Sequence, residues 1–214
     1  RPAIATMFPN KKGNMLLLDA GATADCKPEF LNQYAMMGAK YLEILLGRKN
    51  PTVGLLNIGT ESGKGNEVTR GAYELLKQNE KVNFIGNIES TEMLNGDVDV
   101  VVTDGFTGNM VLKTSEGVAK FILSSMKTEI EKSFIYKLGA LLIKPALKTI
   151  VKKMDSSEYG GAIFLGLNGI SIKAHGNSDS IAIKNAIKVA NKFAQMKFID
   201  ELKKIIVIED KEEI

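Results

Sequence analysis

The chain has 214 residues, 44% of them hydrophobic and 25% charged, which is an ordinary globular composition with enough length to bury a real core. A net charge of +3 permits an acidic partner without demanding nucleic acid, and no nucleic-acid binding is expected. One cysteine, Cys26, and one histidine, His175, exclude an internal disulfide and a Cys/His zinc cluster, and fit a reducing cytosol.

The chain opens at Arg1-Pro2 with no signal peptide to read, and no run of about 18 apolar residues predicts a membrane span. Met15 to Asp19 is a short apolar run that predicts a buried strand ending in a loop at Ala20–Ala22. Pro28 suits a first helical position, and Leu31, Tyr34, Ala35, Leu42, Leu45 and Leu46 carry that helix to Gly47. Val53–Ile58 predicts a second strand, Gly59–Gly65 a loop, and Glu67–Gln78 a helix with Val68, Ala72, Leu75 and Leu76 on one face. Val82–Gly86 and Val98–Thr103 predict two more strands, the second apolar apart from Asp99. A helix then starts near Gly108 and runs past Phe121. Strands alternating with helices predict a parallel α/β sheet covered on both faces, with ligands gathering beyond the carboxyl ends of its strands.

From Lys127 the pattern changes. Ile130, Phe134, Leu138, Leu141 and Leu142 form an apolar stripe, and lysines including Lys144 and Lys148 supply the other side. Pro145 predicts two amphipathic helices joined near Ile143–Pro145. Such a pair suits an anionic membrane interface, a dimer contact or an acidic carrier protein, the plain alternative being a solvated face. Leu138, Leu141, Leu142, Lys144 and Lys148 are the candidate contact residues. Tyr159–Gly169 is glycine-rich and apolar, Ile170–Lys173 predicts a strand, and His175–Asp179 a turn. Ser178 or Asp179 then caps a long helix to about Ile206. The whole is expected to be a single α/β domain with residues 127–153 as a helical protrusion.

Two turns carry the clearest chemistry. Gly59–Asn66 follows a strand and opens a helix, so its glycines let backbone amides approach an anion while Lys64 adds a mobile cation. It is not a Walker A loop, because Gly65 stands after the lysine where that motif has Ser or Thr. Asp104–Asn109 also joins a strand to a helix, and Asn109 offers amide donors to a carbonyl oxygen or phosphate. The plain alternative is a flexible strand-to-helix turn with a solvated lysine for the first, and a helix cap made by Asp104 and Asn109 for the second. His175 is a candidate proton relay or a turn residue, with Ser178 and Asp179 beside it. Cys26 is expected to be idle.

Several stretches, taken in order, resemble one family. They are Arg1–Ala5, Leu16–Ala22, Gly54–Gly59, Gly63–Glu67, Asn83–Asn87, Val100–Asn109, Val111–Gly117, Tyr159–Ala162 and Lys173–Gly176. Together they are similar to the phosphate:acyl-[acyl-carrier-protein] acyltransferases (the PlsX family). That resemblance implies a Rossmann-like α/β/α fold similar to isocitrate and isopropylmalate dehydrogenases and phosphotransacetylases. It implies transfer of a fatty acyl group from acyl carrier protein to inorganic phosphate, with no metal or organic cofactor. It also implies a cytoplasmic homodimer, peripheral membrane contact, and delivery of acyl phosphate to a membrane glycerol-phosphate acyltransferase. Lys64, Asn109 and His175 become the expected catalytic residues. Gly63, Gly65, Asn66, Asp104, Gly105, Gly108, Lys113, Gly176 and Ser178 become the expected substrate and phosphate contacts. The family's first strand and glycine-rich Asp-Ala-Met-Gly-Gly-Asp-type loop have no counterpart here, and they supply part of its active site. The runners-up are a phosphotransacetylase-like enzyme using coenzyme A, and an inactive scaffold that binds membrane or carrier through residues 127–153.

Overall fold

The computed structural model describes residues 1–154, 161–174 and 178–206. Seven strands form one sheet: β1 (Ala3–Asn10), β2 (Gly13–Leu18), β3 (Thr52–Leu56), β4 (Asn83–Ile88), β5 (Val100–Val102), β6 (Ala162–Leu165) and β7 (Ser171–Lys173). Six helices accompany them: α1 (Pro28–Leu46), α2 (Glu67–Gln78), α3 (Gly105–Glu131), α4 (Phe134–Met154), α5 (Ser180–Gln195) and α6 (Phe198–Ile205).

The sheet order is β4-β3-β5-β2-β1-β6-β7. Strands β4, β3, β5 and β2 are parallel, as the alternation of elements predicts. The rest of the sheet is not. Strand β1 runs antiparallel to both β2 and β6, and β7 antiparallel to β6. The expected all-parallel sheet is therefore corrected to a mixed one. A tight turn after β1 leads straight into β2, leaving no room for a crossover helix, so that pair must be antiparallel.

Alternating side chains divide the core between two faces. Ala3, Ala5, Leu16, Leu18, Val53 and Val100 are buried with residues of α1, α2, α5 and α6. Phe8, Met15, Leu17, Leu56 and Val101 are buried on the other face, where Met93 of a short 3-10 turn and Val111 and Leu112 of α3 pack on them. The Asp99 anomaly in the apolar run has a simple cause. Its carboxylate pairs with the Arg48 guanidinium and accepts from the Thr52 N–H at 2.9 Å, tying the start of β5 to β3.

Two helical expectations change. Helix α4 runs through Pro145, and the corner lies at Lys132–Ser133 instead of Ile143–Pro145. Pro145 removes one donor to the preceding turn, but this helix is exposed, so the freed carbonyl meets water. The long C-terminal helix also breaks. Lys197 adopts a left-handed φ of 49° between α5 and α6. Phe193 and Phe198 are both buried, with ring centroids 4.5 Å apart. Five residues apart on one helix they would point about 140° away from each other, so burying both requires the break.

Candidate functional site

The loops after β2, β3 and β5 meet at one edge of the sheet, and Asp19 organises them. Its carboxylate is fully buried, and Oδ1 accepts from the N–H groups of Ile4 (2.8 Å), Gly21 (3.0 Å) and Ala22 (2.9 Å). Oδ2 accepts from Thr23 N–H at 2.8 Å. Thr23 O in turn accepts from Gly105 N–H at 2.8 Å, which fixes the first turn of α3. Gly108 packs so tightly on this loop that a Cβ would stand 1.9 Å from Asp19 O. Only glycine permits that approach.

The loop 57–66 is held by two asparagines. Asn57 Nδ2 donates to Lys64 O and to Asn87 Oδ1, both at 3.1 Å. Asn87 Nδ2 donates to Glu61 O at 2.8 Å. Gly65 has φ 91°, and a Cβ there would meet Thr69 Oγ1 at 2.1 Å. The Lys64 side chain extends from this fixed backbone into solvent.

Both helix starts are capped. Asn66 Oδ1 accepts from Thr69 N–H at 2.9 Å, opening α2. Asp104 accepts from Thr107 N–H at 2.7 Å through Oδ1, and from Thr107 Oγ1 at 2.8 Å through Oδ2, opening α3. Asp104 thus spends both oxygens on the cap. A carboxylate repels an anion, whereas the free amides of a helix N-terminus favour one.

The expected site residues fall on two sides of α3. Gly65, Asn66 and Asp104 line a cleft of about 540 Å³ with Asn57, Thr103 and Thr107. Asn109, Lys113 and Ser178 line a smaller one of about 110 Å³ with Thr6, Glu116 and Lys173. Lys113 is paired there with Glu116 at 2.9 Å. Lys64 and Gly63 are exposed near the first cleft and line neither, so the two central candidates, Lys64 and Asn109, share no cleft wall. Gly105 and Gly108 line neither and lie in the packing between α3 and the Asp19 loop. His175 and Gly176 lie outside the described residues.

Leu138, Leu141 and Leu142 on α4 are 54%, 63% and 77% exposed, and Lys144 and Lys148 are exposed beside them. No helix among the described residues is long and apolar enough to cross a membrane. Cys26 is half-buried, and burial pushes its thiol pKa up.

Asn57, Asn87, Thr103 and the fourfold role of Asp19 escape sequence reasoning. Each carries the same faint signal, a polar residue at the end of an apolar strand.

Residues 1–201 match the protein family described as "Fatty acid synthesis protein". The chain belongs to that family. It is 63% identical to a phosphate acyltransferase from Fusobacterium nucleatum over 210 residues, which are 98% of this chain and 63% of that protein. It is 52% identical to a phosphate acyltransferase from Clostridium perfringens over 202 residues, 94% of this chain and 60% of that protein. This family member therefore spans about three fifths of the length of these relatives. The resemblance carried by the ordered motifs thus holds along nearly the whole chain. A phosphotransacetylase from Streptococcus pyogenes shares the fold with a TM-score of 0.56, at 17% identity over 92% of this chain and 54% of that one. At that identity the likeness is one of fold, and the expected α/β class is borne out.

Proposed function

We propose that this chain transfers a fatty acyl group from acyl-[acyl carrier protein] to inorganic phosphate, giving acyl phosphate for phospholipid synthesis. One observation supports this most. Two rigid strand-to-helix turns, at Gly65–Asn66 and Thr103–Asp104, border one cleft between the N-termini of α2 and α3. Helix N-termini favour negative charge, and amides held in place stabilise a developing oxyanion without reorganising.

In this reading a phosphate oxygen attacks the thioester carbonyl carbon, and the carbonyl electrons move onto its oxygen. The tetrahedral oxyanion collapses, the C–S bond breaks, and the thiolate takes up the proton that phosphate releases. Lys64 balances the charge of phosphate and oxyanion. Of the two candidates for holding the oxyanion, Lys64 stands near this cleft and Asn109 lines the one across α3, so the role falls to Lys64 in this reading, and His175 relays the proton. Phosphate is already a competent nucleophile, so positioning and charge stabilisation account for most of the rate. Incubating the chain with an acyl-carrier thioester and following release of the carrier thiol with and without phosphate tests this. Thiol release that requires phosphate is expected. Thioester loss indifferent to phosphate would contradict it.

The same reading makes the protein a cytoplasmic homodimer that touches the membrane peripherally through α3 and α4. There it would pass acyl phosphate to a membrane glycerol-phosphate acyltransferase. Exposed Phe121, Phe134, Leu138, Leu141 and Leu142, with Lys144 and Lys148 nearby, support a lipid-facing surface. Replacing Leu138 and Leu142 with Glu removes about 1.5–3 kcal/mol of apolar burial at each site, so binding to anionic vesicles is expected to fall by about two to four orders of magnitude. Co-sedimentation measures it, and unchanged binding would place the surface elsewhere.

A further inference from the structure

Four polar side chains are buried among the described residues: Thr6, Asp19, Asn87 and Thr103. Asp19 and Asn87 are accounted for, since each is hydrogen-bonded to the loops it organises. The hydroxyls of Thr6 and Thr103 donate to no described residue, Thr6 lining the smaller cleft with Asn109 and Thr103 the one bordered by two helix N-termini, which makes Thr103 the candidate for an anion. Thr103 is only 3% exposed. Its backbone is fixed, with N–H donating to Leu18 O at 2.8 Å and C=O accepting from Asp19 N–H at 3.0 Å. Its methyl group lies under Gly108, 3.0 Å from where a Cβ would stand. Its hydroxyl donates to no described residue.

That hydroxyl is not sealed in. No fully enclosed side-chain oxygen or nitrogen among the described residues lacks a partner. An unpartnered Thr103 Oγ1 must therefore open onto space, and Thr103 lines the cleft of about 540 Å³ with Asn57, Gly65 and Asn66. Two helix N-termini border that space, both favouring negative charge. The one carboxylate on its wall, Asp104, has both oxygens turned to Thr107. A hydroxyl that has no partner among the described residues, opens onto such a cleft and sits on a fixed strand end is placed to donate to an anion held there.

We infer that Thr103 is a phosphate-binding residue, its hydroxyl donating to an oxygen of inorganic phosphate in this cleft. The inference rests on the acyl-transfer reading above and adds a residue to it. Lys64 supplies charge from an exposed, mobile stem, whereas Thr103 supplies one directed donor from a fixed strand end.

The test is the isosteric Thr103→Val variant of this chain, with Thr103→Ser as its control. Three quantities are read: inorganic phosphate affinity by titration calorimetry, thermal midpoint without ligand, and KM for phosphate and for the acyl-carrier thioester. Thr103→Val is expected to weaken phosphate binding roughly tenfold or more, the value of a hydrogen bond to a charged group. Its thermal midpoint is expected to be equal or higher, because the hydroxyl has no partner to lose. Thioester KM stays put, and Thr103→Ser keeps near-normal phosphate affinity. Unchanged phosphate affinity in the Val variant would overturn the inference, as would a lowered midpoint with phosphate affinity retained, or an effect confined to thioester KM. The two readings fail separately. Acyl phosphate formed normally by Thr103→Val sinks the role of Thr103 alone. Thr103-dependent phosphate binding without any acyl phosphate sinks the acyl-transfer reading alone.

Discussion

Asp19→Ala is expected to cost the fold about 4 kcal/mol, close to the most a single substitution removes. The carboxylate accepts four backbone N–H groups and is fully buried. The Ile4 N–H is itself buried and would be left without a partner, a loss of about 2–3 kcal/mol. The N–H groups of Gly21, Ala22 and Thr23 are half-buried, so water replaces part of what they lose, at about 0.5 kcal/mol each. The damage spreads to the site, since Thr23 O holds Gly105 N–H and thereby the start of α3. Urea unfolding followed by circular dichroism measures the loss. A cost under about 1 kcal/mol would mean the loop is held by its packing and not by this carboxylate.

Lys64→Ala is expected to do the opposite: little to stability, much to rate. The structural part of Lys64 is its backbone, whose N–H donates to Glu61 O at 3.1 Å and whose carbonyl accepts from Asn57 at 3.1 Å. Alanine keeps both. The side chain is exposed, so stability should stay within about 0.5 kcal/mol. Removing a charge aimed at a developing oxyanion typically costs a factor of about 10²–10³ in kcat. Steady-state kinetics with an acyl-carrier thioester and phosphate, paired with a melt of the same sample, separates the two effects. Full activity would remove Lys64 from the mechanism. A large drop in stability would show that its side chain braces the loop.

Local patterns carried much of this fold. Helix α2 has the limits its periodicity predicts, and α1 begins at Pro28 and ends against Gly47, a left-handed cap. These are signals read within a few residues of where they act. What escaped depends on partners far away in the chain. Strand β1 is an eight-residue stretch containing Pro9, and it is held as a strand by pairing with β2 and β6. Strand β6 lay inside a glycine-rich run, where sequence shows a loop as readily as a strand. Lys197 breaks the last helix without a glycine or proline to announce it, because two phenylalanines must both reach the core.

The site divides in the same way. Glycines at 65 and 108 and the cap at Asp104 were legible as turn chemistry, whereas the cap at Asn66 was not. That Lys64 and Asn109 stand on opposite sides of α3, and that Asn57, Asn87 and Thr103 shape the cleft, follows only from the packing of strand ends against one another. Asp19 looked like the end of an apolar run and proved to be the knot that joins β1, the loop after β2 and the start of α3.

The central claim is that phosphate itself is the acyl acceptor. Mass spectrometry of the product formed from an acyl-carrier thioester and fully ¹⁸O-labelled inorganic phosphate tests it most directly. The expected product is an acyl phosphate carrying every labelled oxygen of the phosphate. Free fatty acid without label, accumulating at the same rate whether or not phosphate is present, would contradict the account.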